Sequence, residues 1–124
     1  TNFASQCVWA GCGVMNYTPV LGWYCNGLND RTPSWSGVEF LHRFLVANEA
    51  AGPYAREVEK EELLIGDLIQ LCGSDGDFYH TLVIVGKDRS EIYIAAHTFN
   101  AFNRPLSSYH YSGLRGLHIE GAKK

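Results

Sequence analysis

Apolar positions recur at two different spacings along this chain, and the change of spacing divides it. Between residues 2 and 10, Phe3 and Cys7 stand four apart, and so do Ala4 and Val8. That stripe predicts a short helix, stopped by Gly11 and Gly13. A second helical pattern opens at Pro33-Ser34-Trp35-Ser36, with Ser34 or Ser36 as N-cap. Val38, Leu41 and Leu45 with Phe40 and Phe44 form its expected buried side, and it ends before Gly52-Pro53. Residues 14 to 35, rich in Asn, Gly, Pro and aromatics, have neither period and read as a long structured loop. Such loops are commonly functional in a compact domain. The charged run from Arg56 to Glu62 reads as a solvated surface. From Leu64 onward apolar residues alternate or come in short runs, predicting strands at residues 67–72, 79–85, 92–97 and 114–119. Helices followed by strands predict an α+β fold, with the N-terminal helices packed on an antiparallel sheet.

Composition narrows the functional classes. The 124 residues suit one domain spanning 1–124, and 46% hydrophobic content supplies a core that excludes wholesale disorder. A net charge of −3 lacks the basic footprint of a nucleic-acid binder. The longest apolar runs, such as Leu82 to Val85, fall far short of the roughly 20 residues that cross a bilayer. The chain opens at Thr1 rather than Met, which is expected of a processed or separated piece. Cys7, Cys12, Cys25 and Cys72 contain no C-x-x-C pair, which argues against a structural zinc site and leaves disulfides open. Cys7 and Cys72 lie in apolar patterns and read as small buried hydrophobes.

Two histidines carry the sharpest chemical signal. A hairpin runs from Tyr79 to His97 around Gly86-Lys87-Asp88-Arg89-Ser90. An even-numbered loop centred between Asp88 and Arg89 pairs Val85 with Ile92, Val83 with Ile94, Leu82 with Ala95 and His80 with His97. Opposite residues of an antiparallel pair point to the same side, with Cβ atoms about 4.5–5.5 Å apart. On this register Thr81, Val83, Val85, Ile92 and Ile94 fill the other face. Two neighbouring histidines can serve as a catalytic base with its orienting partner, ligate a metal, or cap a strand pair. A loop of odd length or a bulge breaks the register.

The chain resembles a known family on six stretches in order. Thr1-Asn2-Phe3-Ala4-Ser5-Gln6 with Ala10-Gly11-Cys12-Gly13 comes first, followed by Gly22-Trp23-Tyr24 and Ser34-Trp35-Ser36. Leu64-Ile65-Gly66-Asp67-Leu68-Ile69-Gln70 and Tyr79-His80-Thr81-Leu82-Val83-Ile84-Val85 follow, then Ala96-His97-Thr98 with Asn103-Arg104-Pro105-Leu106-Ser107-Ser108-Tyr109. Together they are similar to the bacterial "putative amidase" domain, of the papain-like group with NlpC-type and CHAP hydrolases. The resemblance implies a cysteine nucleophile at the start of the first helix, His80 as catalytic base and His97 as its orienting third member. Thr98 or Asn100 is the alternative for that third role. In the family the nucleophilic Cys immediately precedes the Thr-Asn-Phe sequence, so the expectation is that the parent protein carries it just upstream of Thr1. Cys7 does not replace it, because it sits roughly 10 Å further along the helix axis.

The implied reaction is amide hydrolysis through a thioester, with no metal or organic cofactor. The implied substrates are bacterial cell-wall peptides or muramoyl–peptide amides, and the implied location is secreted or on the cell surface. Trp35 and Tyr79, with Trp23 and Tyr24, are expected to wall the cleft, and a plain turn is expected at Asp75 and Asp77. Three rival readings remain open at this point. One is a non-catalytic module that binds wall peptides on the same fold. The others are an N-terminal nucleophile at Thr1 and a metal held by His80 and His97.

Overall fold

The computed structural model describes residues 1–97 and 101–124. They form two compact units, Thr1–Arg56 with Ile119–Lys124, and Glu57–His118.

In the first unit, helix α1 spans Asn2–Cys12 and closes at Gly13, whose φ of 70° turns its N–H back onto the Trp9 carbonyl. That left-handed conformation favours glycine. Ala4, Ser5 and Val8 are the buried positions of α1. The loop after it is ordered by hydrogen bonds between Asn16 and Trp23 and by two short strands, β1 (Cys25–Gly27) and β2 (Asp30–Arg31). Pro33–Ser36 forms a single-turn helix, α2, and Gly37 breaks it from α3 (Val38–Ala47). The N-cap positions are therefore Thr32 and Gly37, not Ser34 or Ser36. The Ser34 hydroxyl instead donates to the Gly22 carbonyl at 2.6 Å, fastening the loop. Helix α3 buries Leu41, Phe44 and Leu45. Phe40, expected beside them, is 51% exposed, because the apolar stripe is narrower than the sequence suggested.

Most of a six-stranded sheet lies in the second unit. Strands β4 (Leu68–Cys72), β5 (Phe78–Lys87), β6 (Ile92–Ala96) and β7 (Ala101–Pro105) pair antiparallel in that order. Strand β8 (Gly113–Lys123) adds to the free side of β4, and β3 (Gly52–Val58) lies beyond it, giving the order β3-β8-β4-β5-β6-β7. Leu63, Ile69, Leu71, Leu82, Ile84, Ile92, Ile94, Ala96 and Leu106 form one buried cluster. The architecture is α+β with an antiparallel sheet, as the order of periodicities predicts. No helix among the described residues is long and apolar enough to cross a membrane.

The hairpin register differs from expectation. Its turn is Asp88 to Glu91, held by the Asp88 carboxylate, which accepts the Ser90 and Glu91 N–H groups at 2.9 Å each. Lys87 faces Ile92 and Gly86 faces Tyr93, while after a bulge Ile84 faces Ile94 and Val83 faces Ala95. The turn lies one residue further along than assumed, and the bulge takes back part of that shift. Ile92 and Ile94 consequently join the face of Leu82 and Ile84 instead of opposing it.

Candidate active site

His80 owes its position to β4. It pairs with Leu71, just after a register shift that leaves Tyr79 as the extra residue on β5. Alternation then places His80 at the end of the row made by Leu82 and Ile84, both in the buried cluster. An apolar face thus ends in a half-buried imidazole. Two aromatic rings flank it. Tyr79 lies 6.2 Å away between ring centres at an interplanar angle of 19°, and Tyr109 lies 6.3 Å away at 55°. The Arg104 guanidinium sits 3.7 Å over the Tyr109 ring. Desolvation is the largest influence on His80 and lowers its pKa, and the positive charge of Arg104 lowers it further. Both disfavour the imidazolium, so at neutral pH His80 is a neutral ring able to accept a proton.

His97 is exposed and lies in the turn that follows β6. The register set by Val83–Ala95 and Ile84–Ile94, continued one step beyond the strand end, brings Thr81 rather than His80 opposite His97. The direct His80–His97 pair expected from the hairpin is therefore corrected, and its cause is the displaced turn together with the bulge. Thr98 and Asn100, the alternatives for the orienting role, lie outside the described residues.

The two aromatic candidates part company. Trp35 is 2% exposed, its ring 4.7 Å from that of Trp23, and its Nε1 donates to Asn2 Oδ1 at 2.7 Å. Ser5 Oγ donates to the Trp35 carbonyl at 2.8 Å and accepts from Trp23 Nε1 at 3.2 Å. Trp35 and Trp23 are core residues that hold α1, rather than walls of a cleft. Tyr79 is 54% exposed, with its hydroxyl donating to the His110 carbonyl at 3.3 Å, and it remains beside His80. Asp75 accepts the Asp77 N–H at 3.0 Å and so builds the turn before β5.

All four cysteines are free thiols. Burial pushes the Cys7 thiol up, away from the thiolate a nucleophile needs.

Sequence reasoning assigned no role to three further features of the second unit. Arg104 and Tyr109 lie inside the recognised stretch from Asn103 to Tyr109, yet nothing in their spacing pointed toward His80. The third is His118, at the other end of β4 from His80, whose Nδ1 lies 2.9 and 3.1 Å from the two carboxylate oxygens of buried Asp67. Its partner is 51 residues away, so no local pattern reveals it.

Fold and site together describe an α+β scaffold that carries a half-buried histidine of lowered pKa near the start of a sheet strand. The chain belongs to the family described as "putative amidase domain", whose model matches residues 1–119, and amide hydrolysis is the coarse activity that family carries. It is also 36% identical over 99 residues to the uncharacterized protein YhbB of Bacillus subtilis (strain 168), a match covering 74% of this chain. The chain spans about 30% of that relative's length. No solved structure matches significantly.

Proposed function

We propose that this domain cleaves amide bonds in bacterial cell-wall peptides or muramoyl–peptide amides, by a cysteine-dependent route on a papain-like scaffold of the NlpC and CHAP type. The observation that carries the reading is His80: half-buried, aromatic-flanked and held neutral, on a chain of an amidase family. The nucleophile in this reading is a cysteine immediately before Thr1 in the longer protein. At the start of α1 it meets the positive end of the helix, about half an elementary charge, which favours the thiolate. Burial disfavours the Cys7 thiolate, which tells against Cys7 in that role.

His80 takes the thiol proton and the thiolate attacks the amide carbonyl carbon. Backbone N–H groups of the first helical turn bear the developing oxyanion. The tetrahedral species collapses with transfer of that proton from His80 to the departing amine, leaving a thioester. Water, deprotonated by His80, then adds to the thioester and regenerates the thiol and the free acid. His97, from the turn after β6, orients the His80 ring in this proposal. The route calls for no metal or organic cofactor. A secreted or cell-surface location follows from such substrates.

The test is incubation of the full-length protein with purified muropeptides, with products read by mass spectrometry. Amide cleavage that is lost in His80→Ala and blocked by thiol alkylation is the expected result. Binding of the same peptides without cleavage would make the domain a recognition module and overturn the catalytic reading.

A further inference from the structure

Arg104 forms no ion pair among the described residues, yet it stands one aromatic ring from His80. It belongs to β7 and pairs with Ile94, on the face that carries Ile84, Leu82 and His80. Three contacts fix its half-buried side chain. The guanidinium lies 3.7 Å over Tyr109, Nε donates to Ser108 Oγ at 2.7 Å, and one terminal nitrogen donates to the Ser108 carbonyl at 3.1 Å. The Ser108 hydroxyl is itself held, donating to the Pro105 carbonyl at 2.7 Å. A guanidinium carries five N–H donors, so these two hydrogen bonds leave others for a ligand.

This placement has an energetic consequence. A histidine base becomes a cation when it takes its proton, and a fixed guanidinium nearby opposes that step. An anion bound to the guanidinium removes the opposition at the moment of reaction. A planar fork, locked in position and with no carboxylate partner among the described residues, is suited to a carboxylate from outside.

We propose that Arg104 binds a carboxylate of the substrate, so that the peptides this domain selects are anionic within about one or two residues of the scissile amide, at ~3.5 Å per residue. The inference rests on the reading of His80 as the catalytic base. The carboxylate is either the free end of the peptide or an acidic side chain, and the probes separate the two.

Isothermal titration of the full-length protein is made with three peptides: acetyl-alanyl-alanine, acetyl-alanyl-glutamate α-amide and acetyl-alanyl-alanine amide. At least one anionic peptide is expected to bind roughly ten- to a hundredfold more tightly than the neutral one, the range of a charge-assisted hydrogen bond. Arg104→Gln erases that preference and leaves the neutral peptide unaffected, while Arg104→Lys restores part of it. Ser108→Ala, which removes only the hydroxyl holding Nε, lowers the preference several-fold and serves as the test if Arg104→Gln fails to fold. Equal binding of all three peptides, no measurable binding of either anion, or a preference that survives these variants overturns the proposal. Turnover is scored separately in His80→Ala. Loss of turnover without carboxylate preference removes this inference alone. A preference erased by Arg104→Gln, in a protein whose turnover survives His80→Ala, removes the His80 reading and keeps the carboxylate site.

Discussion

Two histidines of the sheet unit have opposite surroundings. His118 rests against the Asp67 carboxylate, whose side chain is 5% exposed and also accepts the Leu64 N–H at 2.9 Å. His80 lies between two tyrosines, with a guanidinium behind one of them. A carboxylate satisfies an imidazole and fixes it to the fold. Aromatic walls and a neighbouring cation leave the ring neutral and ready for a proton. One residue type thus serves as a tie on β8 and, in the proposed reaction, as the base on β5, and its neighbours make the difference.

The sharpest way to break this contrast is to remove the His80 ring and, separately, the carboxylate that holds His118. His80→Ala is expected to lower kcat/KM on an amide substrate by roughly 10²–10⁴-fold, with little change in melting temperature. A thermal melt beside the activity assay checks both halves. Asp67→Ala is expected to do the reverse, costing about 2–3 kcal/mol of stability through the stranded His118 and Leu64 N–H, with turnover per folded molecule preserved. Chemical denaturation measures it, and an unchanged midpoint would show the tie to be idle. His97→Ala should reduce kcat by roughly ten- to a hundredfold if it orients His80, since misplacing a catalytic group has costs of that order. A wild-type rate in that variant hands the role to another residue.

The smallest effect is on pH. Because the His80 pKa is lowered, the free enzyme loses its base only below the ordinary histidine value of 6.5. The acid limb of kcat/KM is therefore expected under that value, activity falling as pH drops through it. A limb at or above 6.5 would overturn the reading of His80 as a base whose surroundings disfavour its charged form.

What the sequence revealed follows from where each element lies. Strands β4, β5, β6 and β8 have neighbours on both sides, and their apolar runs were legible to within a few residues. Within the six-stranded sheet, the two strands that escaped are its edges. β3 contains Pro53, Arg56 and Glu57, and β7 contains Asn103, Arg104 and Pro105. An edge tolerates proline and charge, so its pattern resembles a loop. The candidate site was legible as residue types but less so as geometry. His80 was identified, whereas its alignment with His97 depended on a register that one bulge and a displaced turn altered. Trp35, expected as a cleft wall, is core instead, and a Trp in a stretch without clear period carries no sign of that burial. Asp67 and His118 meet only through the sheet, which no spacing along the chain encodes.

The bulges bear on how this hairpin tolerates editing. The outlook of His80 is set by Leu71 on β4, while the irregularity between Ile84 and Gly86 lies between that position and the turn at Asp88 to Glu91. A residue added to or taken from the turn changes how β6 meets β5 yet leaves the β4 pairing untouched. The tip can therefore drift in length among descendants of this domain, or accept a grafted peptide, while the pairing of His80 with Leu71 is kept.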